Sequence, residues 1–200
     1  MKNIIKDHFQ NSSKTIMNLE SHTSQILKIV ELIINTQKTN NKVLVAGNGG
    51  SCADAEHFTG ELICTFSDPD RRPISAECLS KHSAAITAWS NDFGFDTFFK
   101  RQVEANGKSG DILILLSTGG GNREANTSMN LVYAAEEAKK HGIKVISLIG
   151  KSGGILKEIS DVSIIVESEI TALIQEAHMS ILHCICMCLE GEFKNEKSKS

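Results

Sequence analysis

Two apolar runs that each break into a glycine-rich loop constrain this chain more than any other feature. Residues 43–46, Val-Leu-Val-Ala, read as a buried strand that ends at Gly47-Asn48-Gly49-Gly50, where the backbone can take φ > 0. Residues 111–116, Asp-Ile-Leu-Ile-Leu-Leu, form the clearest buried strand and end in Ser117-Thr118-Gly119-Gly120-Gly121-Asn122. A helix is expected after each loop. Ser51 is the candidate N-cap of the first, and the second is expected over about 124–141, stopped by Gly142.

The rest of the chain repeats the alternation. Residues 74–79, 144–149 and 162–166 read as further strands, and 83–89, 155–159 and 170–190 as helices, with an amphipathic helix ending at Val103. Residues 91–95, Asn-Asp-Phe-Gly-Phe, read as a turn, and 67–73, which hold both prolines, as a surface connection. Near-continuous apolar strands alternating with helices predict a three-layer αβα sandwich around a doubly wound parallel sheet of flavodoxin-like type. Glycine loops that follow strands then lie at the carboxyl edge, where such folds bind ligands. Residues 4–36 form a leading helical arm, one helix or two with a break near Ser12-Ser13, that covers the sheet or another subunit. One domain spans 1–192, and 193–200 form a polar tail, solvated and frayed from Lys194.

Composition excludes some partners. A formal charge of −3 over 200 residues gives no electrostatic reason to expect nucleic acid or an anionic membrane. No apolar run is expected to reach the roughly 18 residues of a membrane span, and the polar first ten residues are no signal peptide, so the chain is expected to be cytoplasmic. The six cysteines lack a spaced disulfide framework and read as reduced thiols. A small-molecule ligand remains.

The loops fit neither common nucleotide motif: Cys52 stands where a dinucleotide fingerprint needs its last glycine, and Val145 where a P-loop ending in Gly150-Lys151-Ser152 needs its first. What they do offer is backbone N–H groups and hydroxyls at helix N-termini, a favourable place for a phosphate. His57 and Glu61, four residues apart, have the helical spacing that can grip one divalent metal, though a surface histidine beside an acid has the same spacing. Gln175, His178 and His183 on the closing helix are further candidates, while Ile174, Ile181 and Leu189 read as its core face. Cys184, Cys186 and Cys188 alternate at a spacing that points i and i+2 residues about 200° apart on a helix, so they read as packing.

In order along residues 4–190, Gly47-Asn48-Gly49-Gly50-Ser51, Ala53-Asp54-Ala55, His57-Phe58 with Glu61-Leu62, the 91–95 segment, Ser117-Thr118, and Ile174-Gln175-Glu176 with His178 and His183 resemble the bacterial phosphoheptose isomerases of the sugar isomerase (SIS) family. The resemblance implies a zinc site of His57, Glu61, Gln175 and His183, with Glu61 and His183 as the acid/base pair. It implies substrate contacts from Asn48, Gly49, Gly50, Ser51, Glu61, Asn91, Asp92 and Gln175, and phosphate binding by Ser117, Thr118, Gly119 and Asn122. It also implies a homotetramer with active sites between subunits and the conversion of sedoheptulose 7-phosphate to D-glycero-D-manno-heptose 7-phosphate for lipopolysaccharide or capsule heptose.

Three features depart from the family pattern. Thr65 stands where an arginine is usual, Ala172 where an aspartate is common, and 117–122 replaces a serine-rich Ser-Thr-Ser-Gly-Asn-Ser loop with the loss of two hydroxyls. They support a second reading, a noncatalytic SIS protein that binds a sugar phosphate or a protein partner, as some replication-initiation regulators do, and a third, an isomerase of another ketose phosphate. Gln175 and His183 lie eight residues apart, roughly 12 Å along a helix and about 80° around it. One ion can hardly take both from one helix, so the two are expected to reach a shared site from different subunits.

Overall fold

Five strands form one parallel sheet in the order β2-β1-β3-β4-β5, with β1 at Val43–Gly47, β2 at Ala76–Cys78, β3 at Ile112–Ser117, β4 at Lys144–Gly150 and β5 at Val162–Val166. This is the expected doubly wound arrangement. The coordinates are a computed structural model in which residues 1–197 are described. The side-chain alternation of each strand divides the core. Val43, Val45, Ile112, Ile114, Leu116, Ile146 and Leu148 pack against α2 (Thr23–Lys38), α3 (Gly50–Ile63) and α8 (Thr171–Lys197). Leu44, Ala46, Leu113, Leu115, Val145 and Ile149 face α5 (Phe98–Asn106), α6 (Met129–Lys140) and α7 (Gly154–Ile159), with α4 (Ser83–Phe93) at the margin. Because both faces are covered, the three central strands are buried almost end to end.

Several boundaries differ from expectation, each for a local reason. The arm breaks not near Ser12-Ser13 but at a 3₁₀ turn, Asn18–His22, between α1 (Lys2–Met17) and α2, and there the hydroxyls of Ser21 and Thr23 bond the carbonyls of Asn18 and Glu20. Gly49, at φ 56°, caps α3, and Ser51 lies buried inside the helix. Residues 91–93 complete α4 instead of forming a turn, and the chain bends only at Gly94, φ 86°. The second strand is shorter than 74–79. The start of α6 moves from 124 to Met129 because Asn122 and Thr127 exchange backbone hydrogen bonds, and Asn126 and Ser128 take positive φ, which closes 122–127 into its own small loop.

The closing helix is longer than expected, reaching Lys197 where fraying was expected from Lys194; residues 198–200 lie outside the described part. It also overturns the expectation that no apolar run is long enough to span a bilayer, since an 18-residue stretch within Thr171–Phe193 averages 1.4 in hydropathy. Its apolar residues serve the core: Ile174, Ala177, Ile181, Leu182, Ile185 and Leu189 are buried against the sheet.

Candidate active site

Parallel pairing of β1 with β3 sets Gly47 beside Leu116, so both glycine loops leave the same carboxyl edge at the reversal of strand order. In the first loop, the amide of Asn48 pairs reciprocally with that of Asn130 on α6, at 2.9 and 2.8 Å. A Cβ on Gly50 would come within 2.5 Å of the Gln175 side chain, so α8 seats that amide directly on the loop.

One and two turns further along α3 the ionisable groups begin. Asp54 is half-buried; burial pushes its carboxyl up and the neighbouring His57 draws it back only in part. His57 Nε2 lies 3.1 Å from Glu61 Oε1 and 3.5 Å from Nε2 of His183 on α8, and Phe66 packs its ring 5.4 Å from that of His183. Donors about 2.0–2.1 Å from a tetrahedral zinc lie about 3.3–3.4 Å from one another. The two separations bracket that edge, so donor type and pairwise spacing suit zinc. Among the described residues, however, no three His, Cys, Asp or Glu side chains close on one ion within the single chain, and Gln175 sits at the loop instead of beside the imidazoles.

Below this cluster a buried clamp fixes the end of α3. Arg71, hidden within the proline-bounded connection, donates to the carbonyls of Glu61 at 2.5 Å and Leu62 at 3.1 Å. Its Nε lies 3.5 Å from Glu190 of α8, which accepts the N–H groups of Phe66, Ser67 and Asp68. Neither Arg71 nor Glu190 stands out in the sequence, since each reads as one more surface charge.

The second loop differs most from its sequence reading. Ser117 and Thr118 open it, the Ser117 hydroxyl accepts the N–H of Gly120, and Ser128 Oγ returns to within 3.4 Å of Ser117 Oγ at the start of α6. Ser128 joins Ser117 here although the sequence carries no signal for it, because the 122–127 excursion separates it from the Ser117-Thr118 pair. Asn122 spends its side-chain oxygen on the N–H of Ala125 and holds that excursion. Backbone donors at the start of α6, with the hydroxyls of Ser117 and Ser128, give this end of the site the chemistry that suits an anion.

Asn91 and Asp92 bond one another at 2.8 Å on the exposed last turn of α4. His178 is fully buried near Ile149, where burial pushes its imidazole down to about 4, so it is a neutral core residue. All six cysteines are free thiols, and burial pushes Cys186 up to about 12, which suits packing and not a thiolate ligand.

The SIS domain family profile matches residues 7–150. The chain is 42% identical over 178 residues to a phosphoheptose isomerase of Helicobacter pylori strain Shi470, covering 89% of each protein. It is 39% identical to one of Clostridium acetobutylicum over 98% of each. Its fold superposes on a phosphoheptose isomerase from Francisella tularensis with a TM-score of 0.87 at 34% identity, covering 94% of this chain and 97% of the other.

Proposed function

This chain belongs to the phosphoheptose isomerases of the SIS domain family, and we propose that it interconverts sedoheptulose 7-phosphate and D-glycero-D-manno-heptose 7-phosphate through an enediol. The observation that carries the reading is the meeting of His57 and Glu61 of α3 with His183 of α8, in a chain whose carboxyl sheet edge bears the hydroxyl-lined loop. Moving a proton between C1 and C2 wants one carboxylate over both carbons and a second group that exchanges protons with the oxygens. Glu61 serves as that carboxylate through the Oε turned away from His57, and His183 is the member of the pair that exchanges the hydroxyl proton. Ser117, Thr118, Ser128 and the first N–H groups of α6 hold the phosphate, which fixes the sugar for the transfer. His57, Glu61 and His183 do not close on one ion within the single chain, and would hold zinc once Gln175 of a neighbouring subunit completes the set; zinc would supply Lewis-acid stabilisation of the developing oxyanion.

The same reading makes the protein a homotetramer with sites between subunits, working in the cytoplasm towards lipopolysaccharide or capsule heptose. The noncatalytic alternative loses one of its supports, since Ser128 returns a hydroxyl to the altered loop. Purified protein incubated with zinc and sedoheptulose 7-phosphate is expected to form the aldose, and Glu61→Gln and His183→Ala each to lower kcat by about 10²–10⁴-fold. A wild type without turnover refutes the reading; variants that keep wild-type kcat refute the residue roles.

A further inference from the structure

Asn48 and Asn130 are the only side chains seen to bridge the two loops by paired hydrogen bonds among the described residues, and nothing in the chemistry of enediol formation requires them. Asn130 is 3% exposed at the second position of α6. Its Oδ1 accepts the N–H of Leu131 at 3.0 Å and Nδ2 of Asn48 at 2.9 Å, while its own Nδ2 donates to Asn48 Oδ1 at 2.8 Å. The Leu131 N–H can only donate, so it fixes which end of the Asn130 amide is oxygen, and this in turn fixes the orientation of Asn48. The pair joins the end of β1 to the start of α6. Asn48 is left with one amide hydrogen and one oxygen lone pair for a ligand.

We propose that Asn130 is a positioning residue that, through Asn48, sets the span between the sugar loop at 48–51 and the phosphate end of the site at 117–128. The inference rests on the sugar phosphate lying across both loops. A ligand that touches only the phosphate end is indifferent to the clasp, whereas one that reaches both loops needs their separation fixed before it binds.

Asn130→Asp tests this without emptying the position. The carboxylate still accepts from Leu131 and Asn48, and negative charge is favourable in the first turn of a helix, so the fold survives. Its second oxygen, however, faces Asn48 Oδ1 where a donor stood. Asn130→Ala removes both clasp bonds, and the melting temperature of each variant reports folding. Calorimetric titration with inorganic phosphate and with sedoheptulose 7-phosphate is the readout, with kcat and KM beside it. For Asn130→Ala the expected result is phosphate affinity within twofold of wild type, sugar phosphate affinity weakened about tenfold, and kcat/KM lowered at least as much; for Asn130→Asp, whose charge repels both anions at the start of α6, it is sugar phosphate weakened about tenfold more than phosphate. Equal weakening of the two ligands, or of neither, overturns the clasp. A wild type that binds sedoheptulose 7-phosphate without converting it refutes the isomerase reading while the calorimetry still decides on Asn130, and a wild type that binds neither ligand overturns both.

Discussion

At Gly120 the chain crosses another stretch of its own backbone so closely that no side chain fits. A Cβ there would lie 1.9 Å from the carbonyl oxygen of Gly153, and φ is +69°. The crossing has a purpose: the carbonyls of Gly120 and Gly121 accept the N–H groups of Leu156 and Ile155, at 2.8 and 3.1 Å, and so cap the first turn of α7. The glycine run that reads in the sequence as a loss of hydroxyls is therefore what lets two loops interlock beside the anion-binding end. Gly120→Ala is expected to destabilise the protein by on the order of 3 kcal/mol in urea unfolding, from clash and left-handed strain together. Gly119→Ala, with open space around its Cβ and no positive φ, is expected to stay within about 0.5 kcal/mol. Equal effects would show that neither the crossing nor the left-handed backbone selects glycine at 120.

Between elements, the strongest electrostatic feature is the hold of α8 on the connection after α3. Burial pushes the Glu190 carboxyl up, but the Ser67 hydroxyl at 2.5 Å and the N–H groups of Asp68, Ser67 and Phe66 outweigh it and bring it down to about 2. A carboxylate depressed in the fold adds stability that is complete above its ordinary value near 4.5 and is lost as pH falls towards 2. Glu190→Gln is expected to cost about 2–3 kcal/mol at pH 7, and the gap to wild type to narrow between pH 4.5 and pH 2. Urea titrations across that range measure it, and a gap that stays constant to pH 2 would mean that charge plays no part. This clamp also marks the limit of what the sequence discloses. The strands and their burial on both faces are legible in unbroken apolar runs such as residues 112–116, and the doubly wound sheet in the alternation of such runs with helices. Arg71 and Glu190 carry no such pattern, because each acquires its meaning from a partner more than a hundred positions away. The same holds for Ser128, hidden by a loop whose length no local propensity sets, and for residues 91–93, where Gly94 and not the polar pair before it ends the helix.

For the molecule as a whole, the single chain leaves two things incomplete. Helix α1 buries none of its residues, and Ile4 and Phe9 are 72% and 67% exposed. The metal-ligand set is divided as well, with His183 beside His57 and Gln175 against Gly50. The proposed shared site between copies of the chain would account for both: the apolar arm would find cover, and Gln175 of one subunit would reach the His57, Glu61 and His183 of another. Mixing two inactive proteins distinguishes this from a site built within one chain. Gln175→Ala and His183→Ala are each expected to be nearly inactive as homo-oligomers. When they are unfolded together and refolded in equal amounts, a site between subunits regains an intact set wherever a Gln175→Ala chain supplies the histidines and a His183→Ala chain supplies the glutamine. Random assembly makes about one site in four of this kind, so activity should return to about a quarter of that of refolded wild type. A site drawn from one chain always carries one of the two lesions, and mixing then restores nothing, which would return Gln175 and His183 to a single subunit and require α8 to bring both to the same ion.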